Sequence, residues 1–189
     1  MKLIVATCPS FFVEENAILE ALFEEGMDYL HLDKPDSEPI YCERLLSLLN
    51  NRWHKRIIVN DHFYLRNEYN LRGIHLSKRH PELPNSYVGF YTRTCYTIEE
   101  IDYWKKRANY VIANDINDET LHRYKMAGVI DSKVAAHQLH SIEEIKKIRD
   151  AGFGAIVVQD LLWNQFDFHQ SNNYKVLIDI FRKIRKACG

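Results

Sequence analysis

The chain has 189 residues, 46% apolar and 27% charged, with 25 Lys+Arg against 26 Asp+Glu and a formal net charge of -1. That length fits one domain able to bury its own core without disulfide or metal staples, and the apolar share excludes a disordered chain. Near-neutral charge leaves no field to concentrate nucleic acid or anionic lipid, so neither a nucleic acid nor a membrane is expected as a partner.

Cys8, Cys42, Cys95 and Cys188 are far apart and include no C-x-x-C pair, a pattern of reduced thiols in a cytoplasmic protein. The apolar run before Cys8 is shorter than the roughly 7–15 residues of a secretory signal and reads as a strand. No later segment is long enough to span a bilayer.

The strand over Lys2–Thr7 is followed by a helix over Glu14–Glu25, with Ala17, Ile18, Ala21 and Leu22 at helical spacing and Gly26 as its stop. Next come a strand at Tyr29–Leu32, a helix at Tyr41–Leu49 and a strand at Arg56–Asn60. A poorly patterned helical stretch around Tyr64–Tyr69 leads to a strand at Gly73–Leu76. A fifth strand is expected at Tyr87–Tyr91. Thr97-Ile98-Glu99-Glu100 reads as a capping box that opens a helix to about Arg107.

A strand at Tyr110–Ala113, a helix from Asp118 to Ala127 and a strand at Lys133–Ala136 continue the alternation. Ser141-Ile142-Glu143-Glu144 reads as a second capping box, whose helix ends at Ala151-Gly152. A strand at Ala155–Val158 and an amphipathic helix over Asn173–Ala187 close the chain. Eight strand-then-helix units without a linker predict a single (β/α)8 TIM-barrel domain over residues 1–189. An open doubly wound sheet is the rival, but Pro9-Ser10-Phe11-Phe12 stands where its glycine-rich phosphate loop belongs.

In a barrel the strand C-termini carry the ligand site. The residues there include Thr7, His31, Asp33, Lys34, Asn60, Asp61, His75, Thr92, Thr94, Asn114, Asp115, His137, Gln159 and Asp160. Each has a plain structural alternative. Asp61 can cap the turn after its strand, His75 can be satisfied locally, and Asp33 with Lys34 can form a solvated rim pair. His137 and His140 could bind a metal together with Asp160, although His-x-x-His crossing from a strand into a loop is a weak spacing signal. A different metal-dependent barrel enzyme, with His31, Asp61, His137 and Asp160 as ligands, is a further alternative. The aromatic run Trp163–Phe168 reads as core or lid packing, or a dimer surface.

Leu30-His31-Leu32-Asp33-Lys34-Pro35, Ile57-Ile58-Val59-Asn60-Asp61 and Arg72-Gly73-Ile74-His75-Leu76 resemble, in order, the Q-L-R-x-K, I-N-D and G-V-H-L signatures of the thiamin phosphate synthase/TenI family. Thr94-Cys95-Tyr96-Thr97-Ile98-Glu99-Glu100 is similar to its S-x-H-T-x-E-E segment, and Gly152–Val158 to its last strand. The resemblance implies a TIM barrel that joins a hydroxymethylpyrimidine diphosphate to a thiazole phosphate. Mg²⁺ and cationic residues then hold the diphosphate, and glycine-rich loops after strands seven and eight hold the thiazole phosphate.

Carried over by position, the resemblance implies Asn60, Asp61 and Lys34 as catalytic residues, with Asp61 as the Mg²⁺ ligand. His31, Asp33, Thr94 and His75 are the implied substrate-binding residues. The departures are specific. Asp33 stands where the family has a diphosphate-binding Arg, Lys34 is displaced by one residue, and His80 replaces a second metal-binding Asp. The Lys-bearing loop after strand six is shortened to Asn114–Asp118, and His137-Gln138-Leu139-His140 replaces a Gly-Gly turn. The expected partner is a small phosphorylated pyrimidine or thiazole compound, and a homo-oligomer is left open. A non-catalytic relative on the same barrel is the alternative function.

Overall fold

Strands as apolar as these need cover on both faces, and the chain provides it by closing the sheet. The computed structural model describes residues 1–164 and 174–189. The eight strands are β1 (Lys2–Ala6), β2 (Tyr29–Leu32), β3 (Ile57–Val59), β4 (Gly73–Leu76), β5 (Phe90–Cys95), β6 (Tyr110–Ala113), β7 (Val134–Ala136) and β8 (Ala155–Val158). They pair in parallel in chain order, and β8 returns onto β1 with Leu3 opposite Ile156. The helices are α1 (Glu15–Glu24), α2 (Pro39–Leu48), α3 (Leu65–Glu68), α4 (Ile98–Trp104), α5 (Asp118–Met126), α6 (Ile142–Asp150), α7 (Asp160–Trp163) and α8 (Tyr174–Cys188). The expected (β/α)8 barrel is the observed fold. Among the described residues no helix is long and apolar enough to cross a membrane.

Strand alternation divides the core in two. Leu3, Val5, Leu30, Leu32, Ile57, Val59, Ile74 and Leu76 pack outward against helical residues such as Leu19, Leu22, Phe181 and Ile184. Ile4, Ala6, Ile58, Tyr110, Ile112, Ala135, Ala155 and Val157 fill the barrel interior. Gly73 allows close packing of β4 on β5, because a Cβ there would lie 2.0 Å from the Phe90 carbonyl oxygen.

Several local features differ from the sequence expectation. The fifth strand lies at Phe90–Cys95 and not at Tyr87–Tyr91. The apolar run ahead of it drew the reading there, whereas the inward positions of the real strand are the hydroxyls of Thr92 and Thr94. The Ser141 side chain makes no capping bond, and Glu144 instead accepts from the His140 backbone N–H at 2.9 Å. A reciprocal capping box forms at Asn117 and Thr120, where none was expected. Trp163 is buried and donates its indole N–H to Ala6 O at 2.7 Å. The remainder of the aromatic run and the expected helix start at Asn173 lie outside the described residues.

Of the polar residues sunk into this framework, the Lys34–Glu15 pair and His31 bear most directly on stability. The Lys34 ammonium, just past β2, lies 2.7 and 2.9 Å from the two Glu15 carboxylate oxygens and 3.0 Å from Ser10 O. It also sits 4.2 Å from the centre of the Phe11 ring. Both side chains are almost fully buried, at 1% and 2% exposure. Burial pushes the Glu15 carboxyl up to about 7, against the downward pull of Lys34. The pair fastens the start of α1 to the loop after β2.

The second group is the His31 imidazole inside the barrel. Burial lowers its pKa from 6.5 to about 4, against a hydrogen bond to Asn60 that raises it.

Removing one member of a buried pair strands the other, at a typical cost of about 3–5 kcal/mol. Lys34→Met is therefore expected to lower the urea midpoint strongly, and Lys34→Met with Glu15→Leu to recover most of it. An unchanged midpoint in the single variant contradicts this role. For His31, the unfolded chain takes up a proton near pH 6.5 that the folded chain refuses until about 4. Its contribution is thus complete above 6.5 and lost as pH falls toward 4. At pH 5 this amounts to about 2 kcal/mol. His31→Gln is expected to lose correspondingly less stability between pH 7.5 and 5, measured by urea unfolding.

Candidate active site at the barrel mouth

At the C-terminal ends of β2, β3 and β4 the chain assembles a charged cluster. Asp33 follows β2, Asp61 follows Asn60 at the end of β3, and Arg79 and His80 lie in the loop after β4. Arg79 grips Asp61 with two donors, Nε to Oδ1 at 3.1 Å and Nη2 to Oδ2 at 3.0 Å. The same Nη2 also bonds Asp33. His80 Nε2 lies 3.0 Å from Asp61 Oδ1. Partial burial works against the Arg79 charge, but the bonds to Asp61 and Asp33 outweigh it and raise its pKa. A planar guanidinium shared between two carboxylates is thus held at the mouth.

Below this cluster lies a neutral layer. His31 Nδ1 is 3.0 Å from Asn60 Oδ1, and His31 Nε2 is 2.5 Å from the Tyr110 hydroxyl. His75 stands edge-on to His31, with ring centres 4.9 Å apart. Its Nδ1 lies 2.7 Å from Thr92 Oγ1 and its Nε2 2.8 Å from Thr94 Oγ1. Burial holds the His75 pKa well below 6.5, with the neighbouring His31 adding to the effect. Both rings are therefore neutral at physiological pH.

The far side of the mouth is closely tied. The Gln159 amide donates to Thr7 O at 2.8 Å, and Thr7 Oγ1 donates to Asp33 O at 2.9 Å. His137 Nδ1 lies 3.2 Å from Asn114 Oδ1. Its pKa is lowered by burial, against Asp160 and Asp33, which raise it. Gln138 takes a left-handed conformation, φ 61, in the turn that the resemblance expects to be glycine.

Of the residues singled out in the sequence, Asp33 and Asp61 meet through Arg79, and Asn60 meets His31. His75 and Thr94 bond one another. Lys34 has its donors on Glu15 and Ser10, beneath the rim. His31 has both ring nitrogens engaged within the barrel and is not aligned with Asp61, His137 and Asp160 as a ligand set. Among the described residues no group of three or more His, Cys, Asp or Glu is placed to hold a metal ion. Arg79 and Tyr110 were not recognised as site residues. For Arg79 a signal existed: a cation in the segment Ser77–His80, facing a strand end where Asp33 replaces an arginine.

No protein-family profile and no curated protein matches the chain. Solved structures do. A thiamine phosphate pyrophosphorylase from Bacteroides thetaiotaomicron is 44% identical, with 99% of this chain and 97% of that one covered at a TM-score of 0.93. A thiamine phosphate pyrophosphorylase from Pyrococcus furiosus, 14% identical with 100% and 97% coverage and a TM-score of 0.74, shares the fold. So does a 3-hexulose-6-phosphate synthase from Salmonella typhimurium, 11% identical with 100% and 98% coverage and a TM-score of 0.67. With nearly half its residues identical to the first of these over almost its whole length, this chain belongs to the thiamine phosphate pyrophosphorylase family, the thiamin phosphate synthase/TenI barrels that its strand-end motifs resemble.

Proposed function

We propose that the chain joins a hydroxymethylpyrimidine diphosphate to a thiazole phosphate, forming thiamin phosphate and releasing diphosphate. The observation that carries this reading is the Arg79 guanidinium held over the mouth by Asp61 and Asp33. In the reaction the thiazole nitrogen forms a bond to the exocyclic methylene carbon of the pyrimidine, and the bond from that carbon to the diphosphate oxygen breaks. Charge builds on the leaving diphosphate, so a fixed cation beside it lowers the barrier. Asp33, standing where the family has an arginine, keeps the cation in place by orienting Arg79 from the end of β2, across β3 from the strand whose loop carries it.

Asp61 and Asp33 are hard oxygen donors of the kind Mg²⁺ accepts, one or two carboxylates being completed by water and phosphate oxygens. The proposal therefore includes a Mg²⁺ that arrives with the diphosphate and takes Asp61 as its protein ligand. When bound, it adds further positive charge beside the leaving group. Asn60 is assigned a contact to the pyrimidine or diphosphate. A cytoplasmic setting belongs to the same reading, supported by four buried free thiols at Cys8, Cys42, Cys95 and Cys188.

A second reading is favoured by the opposite rim. The His140 N–H at the start of α6 is taken by Glu144, and Gln159 spends its amide on Thr7 O. A backbone N–H at a helix start is the kind of donor a phosphate takes, and the His140 contact withholds one. A relative that binds the pyrimidine diphosphate without condensing it fits these contacts. Assay of thiamin phosphate from both substrates with Mg²⁺ decides between the two readings: measurable turnover supports synthesis, and binding without turnover supports the second.

If Arg79 carries the leaving group, Arg79→Gln lowers kcat/KM by about 10²–10³-fold. Arg79→Lys recovers only part, because a point charge cannot replace the two-pronged grip on Asp61. Unchanged kcat/KM in Arg79→Gln contradicts the assignment. For the metal, Mg²⁺ alone is expected to leave the melting temperature unchanged, while Mg²⁺ with inorganic diphosphate raises it. Asp61→Asn should abolish that rise. A rise with Mg²⁺ alone contradicts joint entry.

A further inference from the structure

In a TIM barrel the ligand site lies at the strand C-termini, and the opposite end ordinarily serves stability. Here the opposite end is hollow. A cavity of about 180 Å³ opens at the strand N-termini, lined by the residues that begin β1, β2, β5, β6, β7 and β8 and by those just ahead of them. The rings of Tyr29, Phe90 and Tyr110 close it from above, with centres 6.0–6.2 Å apart. Ile4, Ile58 and Ile112 fill the interior beyond these rings, so the cavity is separate from the charged cluster at the mouth.

Three cations line this cavity and no carboxylate does: Lys2 at the start of β1, Arg72 ahead of β4 and Lys133 ahead of β7. The acids beside the lining in sequence are engaged elsewhere. Asp28 accepts from Leu3 N–H at 2.8 Å and lies 3.4 Å from Arg185. Asp131 accepts from Lys133 N–H at 2.8 Å and pairs with Lys105 at 3.2 Å. Among the described residues none of the three cations has an ion-pair partner. The Lys2 ammonium and the Arg72 guanidinium instead stand over the Tyr29 and Phe90 rings, 5.2 and 4.4 Å from their centres, and Lys133 Nζ is 3.4 Å from Lys105 O. The neutral lining has the same sense. The Asn109 oxygen accepts from Tyr91 N–H at 2.9 Å, so its amide nitrogen is the end left to donate. Ser132 adds a hydroxyl.

We infer that this basal cavity binds a phosphate group, free or as a phosphomonoester, at a site distinct from the one at the mouth. Like charges gathered around one hollow repel each other, and an anion between them removes that cost. A phosphate carries the multiple acceptor oxygens that a guanidinium, two ammonium groups and an amide donor match together. The volume sets the size of the ligand. Pockets for drug-sized molecules run to about 300–1,000 Å³, so this one accepts a phosphate group and excludes a whole nucleotide. The inference is independent of the function proposed above, since it uses none of the residues at the mouth.

Amide NMR of the nitrogen-15-labelled full chain, titrated with inorganic phosphate at an ionic strength fixed by potassium chloride, reads the site directly. Saturable shifts are expected at Lys2, Asn109, Ser132 and Lys133, and they should persist in Arg79→Gln, which removes the cation at the mouth. Arg72→Gln and Lys133→Gln should each weaken binding about tenfold, the usual size of one charge-assisted hydrogen bond. Lys133 is exposed, so its variant keeps the test open if loss of the Arg72 contact to Phe90 disturbs folding. Glycerol phosphate is titrated in parallel: tighter binding than inorganic phosphate identifies an ester as the ligand, weaker binding identifies the free ion, and either supports the site. Shifts that fail to saturate, that potassium chloride alone reproduces, or that vanish in Arg79→Gln overturn it. Unchanged affinity in Lys133→Gln does the same.

Discussion

Closure of the eight-stranded ring governs everything else in the molecule. A closed parallel barrel has no solvent-facing side, so each inward residue must pack or find a polar partner. Near the strand N-termini the interior is met by Ile4 and the rings of Tyr29, Phe90 and Tyr110, whose centres lie 6.0–6.2 Å apart. Higher up, the same inward register delivers His31, His75, Thr92 and Asn60, and these survive burial only because they satisfy one another. The charged residues Asp33, Asp61 and Arg79 come one step later, where the barrel opens to water. Apolar floor, neutral polar layer and charged rim follow from a single alternation carried around the ring.

That ordering separates two jobs. The neutral layer stays uncharged, because burial opposes protonation of both imidazoles. The rim holds one guanidinium between two carboxylates, an arrangement with net negative charge that nonetheless presents a cation to an arriving anion. Lys34 belongs to neither. Its ion pair with Glu15 anchors α1 beneath the rim, which shows how a lysine at a strand end can serve the scaffold.

Much of this was legible in the sequence, and the limits have physical causes. The boundaries of β2, β4 and β6 could be read because apolar runs bounded by turn residues leave little choice. β5 was misread because its inward face carries hydroxyls, so the apolar cue sits in the residues ahead of it. Asn60 and Asp61 stood out through their motif. Arg79 did not, because its meaning depends on Asp33 and Asp61, 46 and 18 residues away. Tyr110 likewise reads as an ordinary strand aromatic until the closed ring brings it to His31, 79 residues away. Pairings of this kind are products of barrel closure and carry no local signature.

The central claim is that the mouth between β2, β3 and β4 is an anion site built around Arg79. The most direct measurement is a crystal structure of the chain soaked with inorganic diphosphate. The account predicts diphosphate oxygens within hydrogen-bonding distance of the Arg79 guanidinium, beside Asp61. Diphosphate bound elsewhere on the barrel, with Arg79 still closed on both carboxylates, contradicts it.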